Sequence, residues 1–190
     1  MHQPIDLQKA YCLLNHGPVV LVSSAHGDVR NVMSAAWVMP LDFDPPKVAV
    51  VIDKGAFSRE LIEKSGEFAL NIPARRIAEQ VLAVGSCSGR DGDKFAASGL
   101  RTFSADKIAA PLVEGCIGWL ECRLIPEPHI QQAHDLFVAE AVAAWADERA
   151  FAHGKFRPLD DTPPEWRTLH HLGAGNFVVP GAQIQGERLQ

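Results

Sequence analysis

The stretch Asn31-Val32-Met33-Ser34-Ala35-Ala36-Trp37, followed by Val38-Met39-Pro40, decides how this chain is read. Residues 29–39 hold β-branched and apolar side chains with no glycine, so they predict a strand. Ser34, Ala35 and Ala36 give that strand a run of small side chains. Upstream, Val19-Val20-Leu21-Val22-Ser23-Ser24 predicts another strand, and Gly27-Asp28 supplies the turn that makes the two a hairpin. Downstream, Asp44-Pro45-Pro46 marks a corner, because proline cannot donate to a strand ladder. Val48-Ala49-Val50-Val51-Ile52 is almost continuously apolar, as expected of a strand covered on both faces.

Working outward, residues 6–15 predict a short helix with Asp6 as N-cap, stopped by His16-Gly17-Pro18. Residues 58–65 have helical spacing, with Leu61 and Ile62 on one face and Gly66 as the stop. Phe68-Ala69-Leu70-Asn71-Ile72-Pro73 predicts a strand. Ile77, Val81 and Leu82 predict a helix ahead of Gly85. Residues 86–99 are rich in Ser, Gly and Asp and read as a loop with a helical turn near Asp93-Lys94-Phe95. Residues 116–125 predict a strand. Residues 136–145 are ambiguous: their alanines favour a helix, whereas Phe137, Val138 and Val142 suit a strand. Residues 152–164 read as loop, and Phe177-Val178-Val179 as a last short strand. No repeat or linker divides the chain, so a single domain over residues 1–190 is expected. The order of elements predicts a mainly β fold with helical insertions, not regular βαβ alternation.

Composition narrows the function classes. The 190 residues are 47% hydrophobic and 22% charged, with a formal net charge of -5. Scattered Lys and Arg on an acidic chain argue against a nucleic-acid surface or an anionic membrane surface. No stretch approaches the roughly 20 apolar residues of a membrane helix, and no secretory leader is visible, so a cytoplasmic protein is expected. The four cysteines, Cys12, Cys87, Cys116 and Cys122, form no CxxC pair and read as free thiols. Cys116 and Cys122 are expected on one face of their strand. The eight histidines show no metal-ligand spacing, so no metal is expected.

Few motifs carry chemistry. Gly85-Ser86-Cys87-Ser88-Gly89 reads either as a plain turn or as a loop whose N–H groups approach a phosphate. Lys54, Arg59, Arg90 and Lys94 are candidate phosphate partners, each also readable as a solvated surface charge. Gly-x-Ser-x-Gly, Gly-x-Gly-x-x-Gly and the Walker pattern are all missing.

Taken in order, several segments resemble the flavin reductase-like, FMN-binding split-barrel family, which includes flavoredoxins. They are residues 31–40, Phe43-Asp44-Pro45-Pro46-Lys47 with the strand after it, Ser58-Arg59-Glu60-Leu61-Ile62 and residues 66–73. Ser88-Gly89-Arg90-Asp91-Gly92-Asp93-Lys94-Phe95, Ala110-Pro111-Leu112-Val113, Leu120-Glu121-Cys122 and His134-Asp135-Leu136-Phe137-Val138 continue the likeness. Together they span about residues 15 to 145. Ala139-Glu140-Ala141 departs from the family's Gly-Glu-Val, and Leu172-Gly173-Ala174-Gly175-Asn176-Phe177 resembles its ending only loosely.

The resemblance implies a six-stranded antiparallel Greek-key barrel that forms a homodimer with FMN near the interface. It also implies that residues 136–142 are a strand. Asn31 and the small residues Ser34, Ala35 and Ala36 would seat the flavin ring, with Trp37 as a wall. Lys54, Ser58 and Lys94 would hold the phosphate, with Phe57 flanking it and Ser88-Gly89 alongside. No side chain is implied as acid or base, because the flavin carries the hydride. The implied activity is NAD(P)H-dependent flavin reduction, with NADH or NADPH as donor and a monooxygenase or other redox protein as partner. A flavoredoxin-like electron carrier is the alternative.

Overall fold

The computed structural model describes residues 3–186. Leu7–Leu13 forms a 3-10 helix capped by Asp6, whose side chain accepts from the Gln8 N–H. The chain then runs β1 (Val20–His26), β2 (Val29–Ala35), β3 (Val38–Phe43), β4 (Pro46–Val51), α1 (Phe57–Ser65), β5 (Glu67–Pro73), α2 (Ala78–Gly85) and α3 (Lys94–Ser98). It continues through β6 (Thr102–Phe103), β7 (Leu112–Val113), β8 (Cys116–Ile125), α4 (Pro128–His134) and β9 (Leu136–Ala146). The hairpins β10 (Phe151–Ala152) with β11 (Lys155–Phe156), and β12 (His170–Gly173) with β13 (Asn176–Val178), follow.

Seven strands form one antiparallel sheet in the order β2-β1-β5-β8-β9-β4-β3. Its two end strands, β2 and β3, are consecutive in the chain and joined only by Ala36 and Trp37. Such a link spans about 11 Å at most, so the sheet must curl until its ends nearly meet. That curl makes the sheet a split barrel. Six strands were expected; the seventh arises because the single strand read over 29–39 is two. Ala35 is the last residue paired with β1, opposite Val20, while Val38 pairs with Val50 of β4.

The alternation of β1 explains the layering. Val20 and Val22 face the barrel interior, with Val50, Phe68, Phe137 and Ile62 of α1. Val19 and Leu21 face the other way, onto Val81 and Val84 of α2 and Phe95 of α3. The helical insertions therefore cover the strand's outer face, and β1 is buried on both sides. Asn71 donates to Leu21 O at 2.9 Å and Ser23 Oγ at 3.0 Å, and accepts from Val113 N at 2.8 Å.

Residues 136–146 are strand throughout as β9, because pairing to both β4 and β8 overrides the helical preference of their alanines. The stretch 152–164, read as loop, begins inside the β10–β11 hairpin, which pairs Phe151 with Phe156 and Ala152 with Lys155. Cys116 and Cys122 do not share a face. Ile72 pairs with Gly118 and Pro73 with Cys116, so Ile117 is an extra residue that shifts the register and reverses the alternation. Cys116 joins the cluster under α2 and Cys122 the barrel interior.

Candidate functional site

The break between β2 and β3 lies against α2. Ser34 Oγ donates to Val81 O at 2.5 Å, and Gly85 is so close that a Cβ there would stand 3.2 Å from Ser34 Cβ. Two hollows open along this seam, and both are lined by Ser34, Gly85 and Ser86.

The first hollow, about 370 Å³, is polar. It collects Asn31 and Ser34 from β2, Phe57 and Ser58 from the first turn of α1, Cys87, Ser88 and Gly89 after α2, and Lys94 from α3. Its donors converge. Ser58 Oγ accepts from Asn31 Nδ2 at 2.9 Å, which leaves its own hydroxyl proton to donate. Ser88 Oγ likewise accepts from Arg90 N at 3.2 Å. The N–H groups of Ser88 and Gly89 have no partner among the described residues. No side chain caps the N-terminus of α1, whose first residues line the hollow, so its free N–H groups and dipole add to the pull on an anion.

Lys94 is buried beneath this hollow. Its ammonium donates to Val32 O at 2.9 Å and Val84 O at 2.6 Å, which leaves one of its three protons for a ligand. Burial pushes its pKa below the ordinary lysine value, and the nearby Cys87 opposes that shift. Gly89 is required by close packing: a Cβ there would stand 2.2 Å from Asn31 Oδ1 and 2.8 Å from Phe57 Cδ1. Asn31 Oδ1 is itself buried and without a partner among the described residues.

The second hollow, about 360 Å³, is mainly apolar. Ser34, Ala35, Ala36 and Trp37 form one wall, and Val81 and Leu82 of α2 another. Trp37 is half exposed and packs edge-on against Tyr11, with ring centroids 5.8 Å apart. The remaining wall comes from distant parts of the chain, namely Asn15, His171, Gly175 and Phe177.

Ten of the eleven residues that the family resemblance implied thus line these two hollows. The structure does not bring Lys54 to either. Its side chain is 65% exposed and stands 4.0 Å from Asp135. Arg59 is also engaged elsewhere, pairing with Asp135 at 2.6 Å and Glu63 at 2.8 Å. Arg90 borders the polar hollow: it donates to Gly55 O at 2.8 Å, lies over the Phe57 ring and pairs with Glu60. Asn15, His171 and Phe177 were not singled out, because nothing in their local sequence signals that they meet β2. The arrangement suits an elongated ligand with an anion at one end and a flat apolar ring at the other.

The chain is similar to known proteins over most of its length. Residues 14–160 match the model of the flavin reductase like domain. The uncharacterized protein YddH of Escherichia coli K12 is 46% identical over 184 residues, covering 95% of this chain and 96% of YddH. A flavin reductase of Pseudomonas putida is 31% identical over 140 residues, 70% of this chain and 75% of that protein. Among solved structures, the FMN-binding domain of a flavin reductases-like enzyme from Shewanella baltica OS155 superposes with a TM-score of 0.87. It is 43% identical and covers 96% of both chains.

Proposed function

The chain belongs to the flavin reductase-like domain family, and from that premise we propose that it is an FMN-binding, NAD(P)H-dependent flavin oxidoreductase. The observation that carries this reading is the pair of hollows joined at Ser34, Gly85 and Ser86, one rich in N–H and O–H donors and the other walled by small and aromatic side chains. The Gly89 cradle and the unpartnered Asn31 Oδ1 fit a ligand that carries both phosphate oxygens and sugar hydroxyls.

FMN, when bound, supplies the hydride-accepting and electron-passing chemistry. The protein's residues bind and orient it. Ser58, Ser88, Gly89, Lys94 and the N-terminus of α1 hold the phosphate. Asn31 orients the ribityl chain and Phe57 flanks it. Ser34, Ala35 and Ala36 let the backbone approach the polar edge of the ring, and Trp37 shields it. Lys54 is left out of this set, since it stands outside both hollows. The proposal treats residues 1–190 as one domain.

A homodimer belongs to the same proposal. The N-terminal 3-10 helix buries none of its residues, and Leu7, Leu13, Leu14, Met39, Leu41 and Phe43 are all exposed. Exposed apolar surface on this scale is what a subunit interface covers. Electrons are proposed to pass to a monooxygenase or another redox protein. Four free cysteines suit a reducing compartment such as the cytoplasm. Among the described residues, no helix is long and apolar enough to cross a membrane.

The test is the absorbance spectrum of the purified protein, with added FMN if it is colourless, followed by anaerobic NADH or NADPH. Flavin bands that bleach with either nucleotide are expected. Bound flavin that neither nucleotide bleaches would replace the reductase with a flavoredoxin-like carrier. A protein that takes up no FMN would overturn the whole reading.

A further inference from the structure

The apolar hollow has one polar corner, and the flavin-binding residues do not account for it. Asn15, just after the 3-10 helix, meets His171 of β12 there, with Asn15 Nδ2 3.2 Å from His171 Nδ1. The two residues are far apart in sequence. They are brought together where Leu169 O accepts from Val19 N at 3.0 Å and Gly17 O accepts from His171 N at 3.0 Å. The imidazole also packs edge-on against Phe177, with ring centroids 6.1 Å apart, so its plane is fixed from two sides.

The contact decides the tautomer. An amide NH2 can only donate, so His171 Nδ1 accepts and the ring proton sits on Nε2. This arrangement leaves Asn15 Oδ1 as the unpartnered atom, and a buried carbonyl oxygen tolerates that better than a buried N–H does. His171 Nε2 has no partner among the described residues, so an N–H donor stands ready in a hollow that is otherwise mainly apolar. A single N–H donor in such surroundings selects an uncharged carbonyl acceptor, because a charged group would lose more hydration than one hydrogen bond returns.

We propose that His171, held in its Nε2–H form by Asn15, binds the carboxamide oxygen of the dihydronicotinamide that reduces the flavin. His171 is then a substrate-contacting residue and Asn15 a positioning residue. This inference rests on the reductase reading above. No bond is made or broken at His171; its hydrogen bond orients the nicotinamide ring over the flavin seat formed by Ser34, Ala35 and Ala36.

Two measurements test it. In 15N–1H correlation spectra of the flavin-free protein, His171 should show a protonated Nε2 and a bare Nδ1. The opposite tautomer would overturn the proposal, whether or not the protein reduces flavin. In Asn15→Asp the carboxylate would accept from Nδ1–H, so the tautomer should reverse. In steady state, His171→Phe should raise KM for NADH or NADPH about tenfold, the worth of one hydrogen bond, and leave kcat within about twofold. His171→Gln, which keeps an N–H donor, should recover most of the KM. An unchanged KM in His171→Phe would remove His171 from the nucleotide site. Failure of the wild-type protein to oxidise either nucleotide would instead overturn the reductase reading, with the tautomer result still standing.

Discussion

Gly89 shows how little slack the polar hollow has. The side chain of Asn31 cannot swing away from an added Cβ, because it is buried and held by Ser58. Gly89→Ala should therefore push the loop outward at a cost of about 1–3 kcal/mol in stability, and weaken FMN binding in a fluorescence titration. Lys94 has a structural role besides the one proposed for it. Its ammonium ties β2 to α2 through Val32 O and Val84 O. Lys94→Met strips both carbonyls of their donor, so urea unfolding of the flavin-free protein should reveal a loss of about 1–3 kcal/mol. A lysine serving only the phosphate would leave the flavin-free protein's stability unchanged. The cysteines report on the same hollow. Cys12 and Cys87 are exposed, whereas Cys116 and Cys122 are buried. Burial raises both buried thiols, Cys122 to about 12. A thiol reagent should titrate two groups in the native protein and all four after unfolding. FMN should protect Cys87, which lines the polar hollow, and leave Cys12 reactive.

At the scale of elements, β8 carries a buried carboxylate. Glu121 is fully buried and accepts from Asp106 N at 3.1 Å, Lys107 N at 2.6 Å and Trp145 Nε1 at 2.8 Å. It fastens the loop ahead of β7 to β8 and β9. Burial alone would raise its pKa, but the Trp145 indole, the two backbone N–H groups and the Lys107 charge outweigh that and hold it below the ordinary glutamate value. A carboxylate with a depressed folded-state pKa contributes stability that is complete above the unfolded value, about 4.3. That contribution is lost as pH falls through the folded value. Glu121→Gln should cost about 1–3 kcal/mol at neutral pH and flatten the acid limb of the stability profile, measured by urea unfolding at stepped pH. In the sequence, Leu120-Glu121-Cys122 stood only as a segment resembling the family, and the hydrogen-bonding role of Glu121 was not legible because its partners lie on a loop and on the neighbouring strand. The elements were legible wherever a local period or a stop signal set them, as with α1 closed by Gly66 in the left-handed region. They were not legible where register decides. The break at Ala36-Trp37 and the extra residue Ile117 are defined by which strand lies alongside.

At the scale of the whole molecule, the site is an assembly of segments that only the fold brings together. Its β2, α1 and α3 residues were legible through their likeness to a family, because they fall in ordered motifs. Asn15 and His171 were not, since their meeting depends on β12 returning to the start of β1. The same view accounts for the apolar exterior. Phe43, at the end of β3, is 97% exposed, and Leu14, just past the N-terminal 3-10 helix, is 84% exposed. Tyr11, Leu14, Trp37 and Met39 line one further hollow beside the flavin seat, so an interface here would adjoin the site. A stable interface needs about 800 Å² from each partner, and side chains left this bare have no partner within their own chain to supply it. The protein should therefore sediment at about twice its 20.7 kDa chain mass. Met39→Glu with Phe43→Asp should shift it to the chain mass, because two charges from each copy would have to be buried against apolar surface. The far-ultraviolet spectrum should be retained, since both side chains are exposed in the single chain. If FMN sits at the shared edge, the monomeric variant should also bind it more weakly, although neither substituted residue lines the two flavin hollows. A wild-type protein that sediments as a monomer at tens of micromolar would remove the dimer from the proposal and leave that face for another partner.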